Sequence, residues 1–284
     1  MNDYRTRPDA TPASTRYRAN PPENYERYFV PTIGVPCARP LLEAARLSPG
    51  ETVLDVACGT GVAARLAAEE VGPTGMVAGV DMNPGMLEVA RSSAEGTSIE
   101  WRHGRAENLP VPDGSYDAVL CSCGFQFFAD KMAALQEIRR VLIPGGRAVL
   151  GTPGPMPPLF VAFDEVVHDH LGPEASKFVT TVFSVHDPAA IRDLVSAAGF
   201  PDVGVESRHL TLRLPPPAEF FWQYVHSTSL SPLAARLDNE AQASLEREVV
   251  DRAEPFTHGG ALVMEVDLVL TTARPDRSGS GPRG

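Results

Sequence analysis

Short apolar runs alternate with amphipathic stretches through the middle of this chain. Residues 52–57 (TVLDVA) form a compact apolar run that breaks at Gly59 and Gly61. A run of that length bounded by glycine reads as a buried strand. Helical spacing follows over 62–70, then a second apolar run at 76–80 that ends on Asp81. Residues 84–93 read as a helix with proline in its first turn. Further strands are expected at 98–103, 116–121 and 147–152, and an amphipathic helix at 131–142 stopped by Pro144, Gly145 and Gly146. Strands alternating with helices define an α/β fold: a doubly wound, mainly parallel sheet with helices on both faces.

The pattern changes after residue 153. Residues 153–158 are proline-rich and read as a loop, 159–171 and 187–199 as helices, and 203–212 as a strand. Residues 220–253 are mostly helical, and 262–272 form a long closing strand, expected to run antiparallel. Elements of the sheet and of a helical cap are interleaved in this half. The expected organisation is a flexible arm at 1–20, one domain over 21–274 and a disordered tail at 275–284. Within the domain, the ligand-binding core covers about 50–152, and the cap is built from about 21–45, 155–185 and 215–255.

Composition narrows the chemistry. The 284 residues are 43% hydrophobic and 21% charged, ordinary globular values. The net charge of −11 does not suit a phosphate backbone, so nucleic acid is not an expected partner. No apolar stretch is long enough to span a bilayer and no secretory leader is legible, which makes the cytoplasm the expected location. Four cysteines, Cys37, Cys58, Cys121 and Cys123, are too few and too irregular for a disulfide framework. Cys121-Ser-Cys123 lacks zinc spacing and no His pair follows it, so no metal is expected. Nothing in the sequence separates a monomer from a homodimer.

The sharpest local signal is VLDVACGTG at 53–61. A strand runs into a tight glycine turn and then a helix, whose free N–H groups and missing Cβ atoms admit a ligand close to the backbone. By itself it also satisfies a dinucleotide fingerprint. Asp55 can place a carboxylate near a cationic or amino-bearing ligand, and Asp81, at the end of the second strand, can accept two ribose hydroxyls. Downstream come AENLPVPDGSYDAV at 106–119 and VLIPGG at 141–146.

Taken together, these segments resemble the class I S-adenosylmethionine-dependent methyltransferases, particularly the branch of quinone C-methyltransferases and small-molecule methyltransferases. The resemblance covers roughly residues 50–152, with a weaker likeness of 25–31 (YERYFVP) to that group's opening helix. It implies a set of cofactor contacts: Tyr25; Asp55, Ala57, Cys58, Gly59 and Gly61 around the methionine portion; Asp81 at the ribose; Met82 and Met86 at the adenine. Arg105, Ala106 and Glu107 fall where the family contacts the adenine edge. Many members carry Asp at the Arg105 position; a guanidinium cannot accept from the adenine amino group, which leaves the backbone of Ala106. Cys121 and Ser122 would lie beside the methionine portion. Gln126 through Phe128 would face the methyl group, and relatives commonly have His where this chain has Gln126.

The implied activity is methyl transfer from S-adenosylmethionine to O, N or C of a small, partly apolar molecule, with a specialised metabolite as the expected substrate class. A non-methylating reaction on the same cofactor scaffold, such as cyclisation, decarboxylation or hydroxylation, is the alternative. The aromatic segment 220–226 (FFWQYVH) carries two readings, cap packing or a wall over a planar substrate with His226 or Tyr224 as base. Tyr25 and Tyr28 divide in the same way between packing and lid. His168 and His170, two apart on a helix, point in different directions and read as a solvated face. His186 reads as the approach to a helix N-terminus, and His258 as a loop residue.

Overall fold

A computed structural model describes Tyr17 and residues 20–276. Apart from Tyr17 and Asn20, the arm expected at 1–20 lies outside the described residues. So does the tail expected at 275–284, apart from Pro275 and Asp276. Tyr17 itself departs from the expectation of a free arm: it is buried, with its ring edge-on to Tyr28 at 4.9 Å.

Among the described residues eight strands form one sheet: β1 (Thr52–Val56), β2 (Met76–Asp81), β3 (Ile99–His103), β4 (Tyr116–Ser122), β5 (Leu142–Pro153), β6 (Asp202–Leu214), β7 (Thr257–His258) and β8 (Ala261–Arg274). Their order is β3-β2-β1-β4-β5-β8-β6, with β7 paired to β8. The first five strands run parallel, and β8 lies antiparallel between β5 and β6. The sheet thus has the doubly wound, mainly parallel form that the sequence pattern implies. β1 sits at the centre of the parallel half, where the strand order reverses, and its VLDV segment is buried on both faces.

The helices Val35–Ala45 and Val62–Val71 cover one face, packing Leu41, Leu42, Ala63 and Ala67 on Val53 and Leu120. Lys131–Val141 and Pro188–Ala197 cover the other, placing Leu135, Ile138 and Val195 against Leu54 and Val119. Local caps fix where these helices begin. Asp130 accepts from the Ala133 amide at 3.0 Å and Asp187 from the Ala189 amide at 2.9 Å.

Two boundaries differ from the sequence reading. The strand expected at 147–152 begins earlier: the helix stops at Val141, β5 starts at once at Leu142, and residues 143–146 bulge out between the pairs Tyr116–Leu142 and Ala118–Arg147. A register shift between Tyr116 and Ala118 on the neighbouring strand absorbs the irregular backbone. β6 and β8 are also longer than expected. They pair along all of β6, from Asp202 with Arg274 to Leu214 with Leu262, so the ribbon continues past the sheet into the cap. A third hydrophobic cluster forms there, from helices Pro158–Leu171, Pro173–Val182, Pro217–Ser227 and Asn239–Ala253.

The chain enters through a continuous helical run. Pro21–Asn24 is followed by a π-helical segment Tyr25–Gly34 and then Val35–Ala45. Pro31 lies inside the π-helical segment and Pro36 just beyond it; each lacks an N–H, which disfavours a regular α-helical ladder there. Tyr25, Phe29 and Ile33, spaced by four, form one face of this segment and look down on the sheet ends.

Candidate active site

Two adjoining cavities open at the C-terminal ends of β1, β2 and β4. The lower, about 300 Å³, lies on the loops that follow those strands, beneath Tyr25 and Phe29. The upper, about 690 Å³, lies between the cap and the β6–β8 ribbon. Tyr25, Phe29, Ile33, Cys37, Cys123 and Phe127 are among the walls that both share.

The floor of the lower cavity is a pair of acids in a folded turn. Asp55, the fourth residue of β1, is 1% exposed. Its Oδ2 accepts from the Ala64 amide at 3.0 Å, in the first turn of the following helix, while Oδ1 is buried without a partner. Burial pushes the Asp55 carboxyl up to about 8. Asp81 ends β2. Its Oδ2 accepts from the Gly59 amide and its Oδ1 from the Asn83 amide, both at 2.8 Å. Burial also raises Asp81, against these bonds. Gly59 adopts the left-handed conformation, φ +55°, that brings its amide onto Asp81.

Of the implied cofactor contacts, Tyr25, Asp55, Ala57, Cys58, Gly59, Asp81, Met82, Met86, Arg105, Ala106, Glu107 and Ser122 all line the lower cavity. Gly61 and Cys121 do not. Gly61 has φ +86°, and a Cβ there would overlap the ring of Trp101, so its glycine makes room for packing rather than for a ligand. Cys121 points into the core, fully buried beside the sheet, because side chains alternate along β4 and its neighbour Ser122 takes the cavity face. Arg105 has a half-exposed side chain with Nε 3.4 Å from the Glu107 carboxylate. Glu107 Oε1 in turn accepts from the Ala129 amide at 3.0 Å.

The helix Pro217–Ser227 resolves the two readings of the aromatic segment by face. Tyr224 and Ser227, three apart, line the upper cavity. Trp222 and His226, four apart, stack on each other at 5.7 Å on the side away from it. Trp222 Nε1 donates to Glu246 at 2.7 Å, and His226 Nδ1 lies 3.1 Å from the Ser231 hydroxyl. His226, expected as a possible base, lies outside the lining of both cavities, with its ring held within the cap. Tyr224 shares the aromatic wall with Phe160, Phe178 and Phe183.

Gln126 lines the upper cavity. Its Nε2 donates to the Cys123 carbonyl at 2.7 Å, and its Oε1 is buried without a partner. Tyr224 Oη and Ser227 Oγ are likewise buried without partners. His170 pairs with Glu248 at 3.0 Å and His186 with the Phe183 carbonyl at 2.7 Å, both away from the cavities.

Sequence reasoning missed the Cys37–Cys123 pair. Cys37 comes from the first turn of Val35–Ala45, and Cys123 from the turn after β4, where it takes φ +53° and donates its amide to the Gly151 carbonyl. Their thiols meet at the shared wall; the hydrogen bond to Cys123, with burial, pushes Cys37 well up. No local spacing announces a contact between residues so far apart. Asn83 and Phe29 were also unassigned, although the four-residue step from Tyr25 to Phe29 carries the signal for the latter.

Comparison with known proteins agrees with this geometry. A family model described as a methyltransferase domain matches residues 53–146. The nocamycin O-methyltransferase of Saccharothrix syringae is 31% identical over 265 residues, 87% of this chain and 93% of that one. The demethylmenaquinone methyltransferase of Deinococcus radiodurans is 38% identical over 172 residues, 56% of this chain and 70% of that one. An arsenite methyltransferase of Halobacterium salinarum is 40% identical over 121 residues, of which this chain spans only 31% of the length. Among solved structures, the YcgJ protein of Bacillus subtilis superposes with a TM-score of 0.57 at 19% identity, covering 85% of this chain and 99% of that one. The chain belongs to the class I S-adenosylmethionine-dependent methyltransferases. It is accordingly a methyltransferase whose cofactor is S-adenosylmethionine.

Proposed function

We propose that this chain transfers a methyl group from S-adenosylmethionine in the lower cavity to O, N or C of a small, partly apolar molecule in the upper one. The carrying observation is the shared wall: an acid-floored cavity and an apolar cavity meet at Tyr25, Phe29, Cys123 and Phe127. The domain that does this is read as 21–274, with the donor half at about 50–152.

The residues present fit the cofactor. The orphaned Oδ1 of Asp55 suits an ammonium donor, which would also draw the carboxyl into its charged form. Asp81, held by two amides, keeps lone pairs for ribose hydroxyls. Met82 and Met86 offer apolar surface for the adenine, and the Ala106 backbone its edge. Bound there, the cofactor supplies an electrophilic methyl group on a sulfonium.

The chain's own contribution is alignment and exclusion of water. Tyr25 and Phe29, stacked at 4.5 Å, cover the lower cavity and leave the shared wall as the route between compartments. Holding two reactants in line contributes on the order of 7–11 kcal/mol. No imidazole lines either cavity among the described residues. Gln126 therefore acts as a hydrogen-bonding guide rather than a base, and the acceptor is one that needs little help to lose its proton.

A specialised metabolite is the acceptor class favoured by the full-length likeness to a nocamycin O-methyltransferase. The cytoplasm is the favoured compartment, because it keeps the four free thiols reduced. The test is incubation of the purified chain with S-adenosylmethionine and a panel of hydroxylated, amino and activated-methylene aromatics, following S-adenosylhomocysteine release. Acceptor-dependent release supports methyl transfer. Conversion of a panel member while the cofactor stays intact would replace it with the non-methylating alternative.

A further inference from the structure

The upper cavity combines three properties that constrain its ligand. It is lined mainly by aromatic and aliphatic groups: Phe160, Phe178 and Phe183 from the cap, Leu210, Leu212 and Met264 from the ribbon. Its volume of about 690 Å³ is that of a site for a drug-sized molecule. Two hydroxyls, Tyr224 Oη and Ser227 Oγ, are buried in its wall without partners, one turn apart on the helix Pro217–Ser227. A third orphan, Gln126 Oε1, sits on the side toward the lower cavity.

A buried hydroxyl without a partner is costly, and protein interiors rarely retain one. Two on one helical face, in an otherwise apolar wall, specify a complementary polar group on the ligand. Charge is specified as clearly. No Lys, Arg or His lines the cavity among the described residues. Among the described residues the one acidic side chain in its wall is Asp267, which is 46% exposed and lies 2.9 Å from His209 Nδ1, so it belongs to the rim. A carboxylate, phosphate or sulfonate carried inside would be desolvated with no cation to compensate it.

Resting on the proposed function, we infer that the acceptor is a mainly apolar ring system or polyene without a strongly acidic group, held through a neutral hydroxyl or carbonyl oxygen by Tyr224 and Ser227, beside Phe29 at the shared wall. The hydroxyls act on register: they set how far the acceptor reaches toward the donor.

Three matched fluorescent probes test this on the full chain: pyrene, 1-hydroxypyrene and pyrene-1-sulfonate. Each is titrated with and without saturating S-adenosylhomocysteine. The expected order is 1-hydroxypyrene tightest, at one per chain, pyrene about three- to tenfold weaker, as one neutral hydrogen bond warrants, and the sulfonate at least tenfold weaker than 1-hydroxypyrene. In the Tyr224→Phe/Ser227→Ala chain the preference for the hydroxylated probe disappears, while pyrene affinity stays within about twofold. Leu212→Trp, which fills the cavity, weakens all three. Equal binding of the sulfonate overturns the charge argument, and a hydroxyl preference that survives the double substitution overturns the anchor. S-adenosylhomocysteine titration of the same samples separates the two readings: loss of its binding with the probe pattern intact removes the methyl-transfer assignment and leaves the cavity assignment standing.

Discussion

The Gly59 amide donates to Asp81 Oδ2 at 2.8 Å, so the turn after β1 and the acid at the end of β2 form one unit. Asp81→Ala therefore removes a ligand contact and also releases the turn. Hydrogen bonds to a charged group contribute about 1.5–3 kcal/mol each. The expected loss of S-adenosylhomocysteine affinity is at least tenfold by calorimetry. Asp81→Asn, which keeps an acceptor for Gly59, should recover part of it. Unchanged affinity in Asp81→Ala would remove Asp81 from the site.

Asp55 gives the site a defined pH dependence. With burial holding it up at about 8, it carries its proton at neutral pH in the free protein. Engaging an ammonium requires that proton to leave. S-adenosylhomocysteine binding at pH 7 should release a proton, read as a binding enthalpy that differs between phosphate and Tris buffers, and affinity should rise as pH approaches 8. Asp55→Asn should abolish the buffer difference. The stability linkage has the matching sign: a raised carboxyl stabilises the free fold at low pH and loses that contribution as pH rises through about 8.

Gly61 is a packing glycine. A methyl group there meets the Trp101 ring at a backbone angle that L-residues rarely adopt. Gly61→Ala should destabilise the chain by about 1–3 kcal/mol in urea unfolding. Combining it with Trp101→Leu should relieve the overlap and cost less than the sum of the two single changes. Simple additivity would show that the overlap is not the cause.

Trp222 and Tyr224 should separate stability from function. Trp222→Ala empties a fully buried site and breaks the bond to Glu246, so about 3–5 kcal/mol of stability should be lost. Tyr224→Phe removes a hydroxyl that has no partner. The free protein should unfold within about 1 kcal/mol of the parent, or later, since the change deletes an unpaired polar group. A large destabilisation by Tyr224→Phe would show that the hydroxyl is paired in solution.

The donor half was legible because its elements are set locally. Strands β1, β2 and β4 carry apolar runs of their own, and the helix Pro84–Ser93 has both a proline in its first turn and an Asn83 cap, so boundaries there fell within a residue or two. Asp55, Gly59 and Asp81 stand out in the sequence for a related reason: they lie at the end of a strand or in the turn just after it. The acceptor half depends on which side of an element faces inward. Cys121 and Ser122 differ only by strand alternation, and His226 and Tyr224 only by helical phase. Both phases could have been computed from the sequence, but the direction of the cap could not. The pairing of Cys37 with Cys123, and the projection of the β6–β8 ribbon beyond the sheet, arise from contacts between distant segments and leave no local trace.

The two cavities draw on different stretches of chain. The acid floor of the lower one comes from within 53–146, the stretch that the methyltransferase-domain model matches, whereas the far wall of the upper one comes from residues 153–268. Substitutions that reshape the far wall leave the floor untouched. With the donor below and the acceptor above, as proposed, a change in the upper wall alters acceptor preference without altering how the donor is held.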